Sequence, residues 1–104
     1  MGRSLEALTA DVQRVSDIYA ARNAVDRDDD WYALKLQEEL GELIAEYLRA
    51  TGRGRQKADH SPQAAMADEA ADLFAMLLLF CARNGIDLEA ALTRKWFKYL
   101  DAPA

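Results

Sequence analysis

Two short acidic pairs are the residues best placed to do chemistry. Glu39 and Glu42 stand three apart in Lys35-Leu36-Gln37-Glu38-Glu39-Leu40-Gly41-Glu42-Leu43, and Glu69 and Asp72 stand three apart in Glu69-Ala70-Ala71-Asp72-Leu73. Residues at that spacing are neighbours on a helix, so each pair presents two carboxylates to one side. Four carboxylates gathered in a partly apolar site repel one another, and at least one takes up a proton unless a cation neutralises them. Hard divalent cations take carboxylate oxygens, and Mg²⁺ keeps water and substrate phosphate in its remaining positions. No His or Cys accompanies the pairs, which argues against zinc. The plainer interpretation is a solvated acidic helix face. It suffices for Glu38, Glu39 and Glu42 alone, but not for an acidic pair leading into the most apolar run of the chain.

The elements that must position these residues are helical. Prolines occur only at 62 and 103, and Ala, Leu, Glu and Arg dominate, so the chain is predicted to be all-α. Ser4 caps a first helix to about Ala21, with an apolar stripe of Leu5, Leu8, Val12, Val15, Ile18 and Tyr19. The acidic run 26–30 precedes a second helix, from about Trp31 to Ala50, stopped at Gly52. Ser61-Pro62 opens a third helix to about Asn84, Gly85 ends it, and Asp87 caps a fourth through about Leu100. In the second helix Leu36, Leu40, Leu43, Ile44 and Tyr47 form the stripe expected to face the core, with Glu39, Glu42 and Glu46 along its edge. In the third, Glu69 shares a face with Leu73, Met76 and Phe80, and Asp72 lies at that face's edge. Antiparallel packing of these two helices brings the acidic pairs together. The run Leu73–Ala82 is apolar on every side and needs cover all round, more than a 104-residue domain supplies, so a homodimer or homotetramer is expected.

Composition narrows the function classes. With 13 Lys+Arg against 18 Asp+Glu the net charge is −5, and 51% of residues are hydrophobic. That balance suits one globular domain over 1–104 and offers no excess of cations for a nucleic-acid polymer. A single cysteine, Cys81, forms no internal disulfide and reads as core. No apolar run is long enough to cross a bilayer, and Met-Gly-Arg-Ser-Leu-Glu has neither a signal-peptide h-region nor a myristoylation pattern. A cytoplasmic location is the expectation.

Taken together, the two segments quoted above resemble the paired signature of the MazG-like all-α nucleotide pyrophosphohydrolases: Glu-Glu-x-x-Glu, a variable spacer, then Glu-x-x-Asp. The helix–loop–helix over 31–84 carries the resemblance, and the fourth helix fits the family's usual extension. It implies a four-helix fold whose antiparallel pair holds the acidic site. It also implies Mg²⁺-dependent cleavage of a nucleoside triphosphate between the α- and β-phosphates, with Mn²⁺ able to substitute. By position, Glu39, Glu42, Glu69 and Asp72 would be metal ligands. Glu38 would be an accessory carboxylate, and Glu38 and Glu39 the catalytic acids.

Substrate phosphates also call for cations. Lys35, one turn before Glu39, is either its ion-pair partner or a phosphate ligand. Lys95, Lys98 and Tyr99, with Arg94, offer substrate contacts or a simple match to a helix dipole; Lys98-Tyr99 resembles the basic-residue–tyrosine ending of some relatives. Trp31 offers a stacking surface for a base or a hydrophobic staple. The segment 49–60, with Arg49, Arg53, Arg55 and Lys57, is either a basic lid or a flexible connection, and His60 receives no role. Two alternatives remain beside NTP hydrolysis. One is phosphoribosyl-ATP hydrolysis, as in the histidine-pathway enzyme, whose usual aromatic–histidine pair is here Phe74-Ala75-Met76. The other is a non-enzymatic helical oligomerisation or adaptor module.

Overall fold

A computed structural model describes residues 2–101. Four α-helices, α1 (Leu5–Asn23), α2 (Asp29–Ala50), α3 (Pro62–Arg83) and α4 (Leu88–Lys95), are followed by a 3-10 helix at Phe97–Asp101. Among the described residues there is no strand, so the fold is all-α. Each helix begins where a side chain can accept from an otherwise unpaired backbone N–H. Ser4, Asp28, Ser61 and Asp87 accept from the amides of Ala7, Trp31, Ala64 and Ala90. Asp28 does the capping within the acidic run, so α2 starts at Asp29, two residues before the expected Trp31. Gly52 and Gly85 both have positive φ, as the stops after α2 and α3 require. The first helix ends differently: Ala24 takes the left-handed conformation that glycine usually supplies, at φ 52°.

The fourth helix is shorter than its sequence suggests. It stops at Lys95, and the chain tightens into the 3-10 turn where a continuous helix to Leu100 was expected. Trp96, Tyr99 and Leu100 are all well exposed there. With no surface to pack against, bulky aromatic residues gain little from continuing the helix.

The body of the molecule is the antiparallel pair α2–α3, with α1 laid chiefly against α3. Arg83 in the last turn of α3 donates through Nε to Asp29 Oδ1 in the first turn of α2, at 2.8 Å. Its guanidinium also lies 5.3 Å from the ring centroid of Tyr32, which is buried. At the other end, Glu46 Oε1 is bonded to Arg49 Nη1 at 3.1 Å and to His60 Nε2 at 2.8 Å. The connection between the helices is therefore folded against the end of α2. Arg49 donates to the Arg55 carbonyl and Gln56 donates to the carbonyls of Arg49 and Gly54. Gly54 packs closely in this turn: a Cβ there would lie 3.1 Å from both the side chain and the backbone N of Arg49, which would have to give by a few tenths of an ångström.

The seam of α2 is not the stripe expected from its leucines. Tyr32, Leu36, Glu39, Leu43 and Glu46, spaced alternately four and three apart, are buried or half-buried, whereas Leu40, Ile44 and Tyr47 are 46–47% exposed. The helix thus has two apolar flanks, and one chain covers only the flank that also carries acids. The Leu73–Ala82 run is likewise only partly covered. Leu78, Leu79 and Cys81 are buried, but Phe74 is 42% exposed. In α1, Val15, Ile18 and Tyr19 of the apolar stripe remain more than half exposed.

Candidate metal centre

The antiparallel packing that brings Arg83 to Asp29 also carries the middle of α3 across the middle of α2. Glu39, Glu69 and Asp72 each offer a carboxylate oxygen to one cluster in which these atoms lie within 4.8 Å of one another. Glu42 stands beside Glu69, near enough to act on its carboxyl. The four acids of the two pairs are thus brought to one groove, with Glu39 and Glu69 half-buried on the seam and Glu42 and Asp72 at its open edge.

Electrostatics mark the groove as strained without a cation. Burial, followed by the neighbouring charges of Glu42, Asp72, Glu69 and Glu38, pushes the Glu39 carboxyl up to about 7. Burial, then the adjoining Glu42, also raises Glu69 above the usual carboxylate range. Glu39 Oε2 and Glu69 Oε2 are buried with no hydrogen-bond partner. Buried acceptors ordinarily have one. Two orphaned oxygens in a convergent all-oxygen donor set fit a hard divalent cation, which the carboxylates would hold directly.

The remaining site residues divide by location. Lys35 Nζ pairs with Glu38 Oε1 at 3.3 Å and not with Glu39. Glu39 lies on the seam toward α3, and among the described residues it forms no ion pair. Lys35 and Trp31 line an open cleft of about 480 Å³ between α1 and the α2–α3 pair, whose wall includes Glu39 and Asp72. Leu8, Val12, Tyr19 and Met76 give that cleft an apolar side. Trp31 is half-buried, edge-on to Tyr32 with ring centroids 5.0 Å apart. Lys95, Lys98 and Tyr99 do not line the cleft. They are exposed on α4 and the 3-10 turn, where Lys98 Nζ lies 5.1 Å from the Tyr99 ring centroid.

Sequence reasoning missed the partnership of Glu46, Arg49 and His60. Glu46 is 6% exposed and held by both Arg49 and His60, and the His60 hydrogen bond most of all lowers its carboxyl below the usual range. The four-three spacing that leads from Tyr32 to Glu46 was the available signal. Sequence also gave no sign that α1 closes one side of the cleft.

Among the described residues, no helix is long and apolar enough to cross a membrane. No curated protein and no solved structure gives a significant match to the chain. A family model described as phosphoribosyl-ATP pyrophosphohydrolase matches residues 5–94, from the first residue of α1 almost to the end of α4 and across both acidic motifs. Proteins of this family are generally metal-dependent, in keeping with the acidic cluster. The match and the all-helical fold together show that the chain belongs to the phosphoribosyl-ATP pyrophosphohydrolase family, among the MazG-like all-α nucleotide pyrophosphohydrolases that act on acid anhydrides.

Proposed function

We propose that the protein is a Mg²⁺-dependent nucleoside triphosphate pyrophosphohydrolase, adding water across the α–β phosphoanhydride to give a nucleoside monophosphate and pyrophosphate. The observation that carries this reading is the Glu39–Glu69–Asp72 cluster with two buried, unpartnered oxygens beside an apolar cleft. Glu39, Glu42, Glu69 and Asp72 would hold the ion. The chemistry that Mg²⁺, or Mn²⁺ in its place, would supply when held by these residues is a lowered pKa for water and stabilisation of charge developing on the anhydride oxygens.

The chain's own residues do the rest. Trp31 and the apolar side of the cleft take the base and keep bulk water from it. Lys35 faces the phosphates from the same cleft, leaving Glu38 to do so. Glu38, on the solvent edge beside the cluster, orients the attacking water and accepts its proton, with Glu39 the second candidate acceptor.

A second reading keeps this site and makes phosphoribosyl-ATP the substrate. The description of the family model that matches residues 5–94 favours it. Phe74-Ala75-Met76 and the Lys95–Leu100 ending, where that enzyme usually has an aromatic–histidine pair and an arginine-rich tail, favour the first. Both reactions break the same bond. The family match supports either over an adaptor without catalysis.

The working form is a homodimer or homotetramer in the cytoplasm. The chain exposes 7904 Å², where a compact monomer of its mass exposes about 5800 Å². Its radius of gyration is 16.7 Å, against about 13 Å for a compact chain of this length. A second copy is the natural cover for Leu40, Ile44, Tyr47 and Phe74. Lys95, Lys98 and Tyr99, which do not line the cleft of their own chain, would contact substrate only across such an assembly.

The test is to incubate the protein with Mg²⁺ and a panel of NTPs, dNTPs and phosphoribosyl-ATP and to separate the products by ion exchange. Monophosphate and pyrophosphate from a nucleoside triphosphate are expected. Cleavage of phosphoribosyl-ATP alone would establish the second reading, and no cleavage of any of them by folded protein with Mg²⁺ or Mn²⁺ would overturn both.

A further inference from the structure

On the side of α1 away from the catalytic cleft, a second pocket of about 520 Å³ lies between α1, the start of α2 and the end of α3. Gln13, Arg14, Asp17, Arg27, Tyr32 and Arg83 are among its lining residues. Three guanidiniums line the pocket, and of the three aspartates that pair with them only Asp17 also lines it. Each arginine is positioned through a single nitrogen. Arg27 Nη1 donates to Ser16 Oγ at 2.8 Å and pairs with Asp17 at 3.0 Å, Arg83 Nε donates to Asp29, and Arg14 Nη1 lies 3.7 Å from Asp11. A guanidinium has five N–H donors in a planar fork, so most of the donors in this pocket remain available. Asp11, Asp17 and Asp29 are themselves half or more exposed, which leaves water to screen them, while the Arg27 side chain is only 22% exposed.

We infer that this pocket is an anion site for a phosphate group, distinct from the metal centre. The two sites demand opposite conditions. At the acidic cluster a phosphate is repelled unless a divalent cation intervenes, whereas three arginines bind it directly through charge-assisted hydrogen bonds. The site is also mechanically linked to catalysis. α1 forms one wall of the catalytic cleft with Leu8, Val12 and Tyr19 and one wall of the arginine pocket with Gln13, Arg14 and Asp17. An anion drawn between Arg14 on α1 and Arg83 on α3 tightens the docking of α1 and with it the cleft wall.

The experiment uses the full chain in EDTA, so that no cation serves the acidic cluster, with inorganic pyrophosphate and orthophosphate as probes at constant ionic strength. A saturable rise in melting temperature with either probe is expected, and calorimetry should give the affinity directly. Arg14→Gln, at a side chain 81% exposed, should fold normally and weaken binding by about tenfold, the loss of one charge-assisted contact. Arg14→Gln with Arg83→Gln should abolish it, and Glu69→Gln should leave it unchanged. A shift no larger than NaCl produces, equal affinity in Arg14→Gln, or loss of binding in Glu69→Gln would each overturn the proposal. So would a fall in sedimenting mass in the arginine variants without a change in anion affinity, which would assign the arginines to a second copy of the chain.

Discussion

Glu39 and Glu69 meet across the α2–α3 groove, each with a buried Oε2 atom that no donor reaches. Among the described residues neither forms an ion pair: Lys35 pairs with Glu38, and Arg49 and His60 hold Glu46. Folding without a metal therefore forces carboxylates together, and the response to pH follows.

Because the Glu39 carboxyl is raised from 4.5 to about 7 in the folded chain, the folded state holds a proton that the unfolded state has released between those values. Its contribution to stability is full below about pH 4.5 and is lost as pH rises through about 7. In EDTA the melting temperature should fall over that window. With millimolar Mg²⁺ the fall should be reversed, since the ion binds the ionised carboxylates; saturation at a hundred times the dissociation constant adds about 2.7 kcal/mol. A melting temperature indifferent to Mg²⁺ at pH 8 would refute the metal centre.

Glu69→Gln keeps the shape of the side chain and removes its charge. Turnover should be lost, the stabilisation by Mg²⁺ should shrink, and the variant in EDTA should melt no lower than the parent, because one repulsive carboxylate has gone. Comparison of melting curves with and without Mg²⁺, beside the product assay, checks all three. Full activity would remove Glu69 from the site.

Trp31→Ala should act on substrate binding. Stacking of a base on an aromatic side chain is worth about 1–3 kcal/mol, so KM should rise roughly five- to a hundred-fold with a smaller change in kcat. Steady-state kinetics on the best substrate measures the split, and an unchanged KM would place the base elsewhere.

Phe74→Glu tests the assembly. Phe74 is 42% exposed within the apolar run of α3, and a charge on a buried contact between copies strongly disfavours association. Sedimentation should give a multiple of 11.6 kDa for the parent and a lower mass for the variant. A parent that sediments as a monomer at micromolar concentration would exclude the oligomer.

Several features of this protein were legible in the order of its residues alone. Local signals placed three of the four N-caps at Ser4, Ser61 and Asp87, and the stops at Gly52 and Gly85, because capping and positive φ depend on a few adjacent atoms. The acidic pairs were equally visible, since i, i+3 spacing alone sets which carboxylates share a face. Family membership followed from the same residues. Tertiary structure decided what depends on neighbours remote in sequence. The α2–α3 packing, which also brings Arg83 to Asp29 54 residues away, gathers Glu39, Glu69 and Asp72 into one cluster. The choice between two apolar flanks of α2 was settled by α3, which took the seam through Tyr32 and Glu46 and left Leu40, Ile44 and Tyr47 exposed. No local rule reveals that His60 meets Glu46, that Lys35 prefers Glu38, or that α1 divides two pockets. Periodicity shows which residues share a side of a helix, and only packing determines what that side meets.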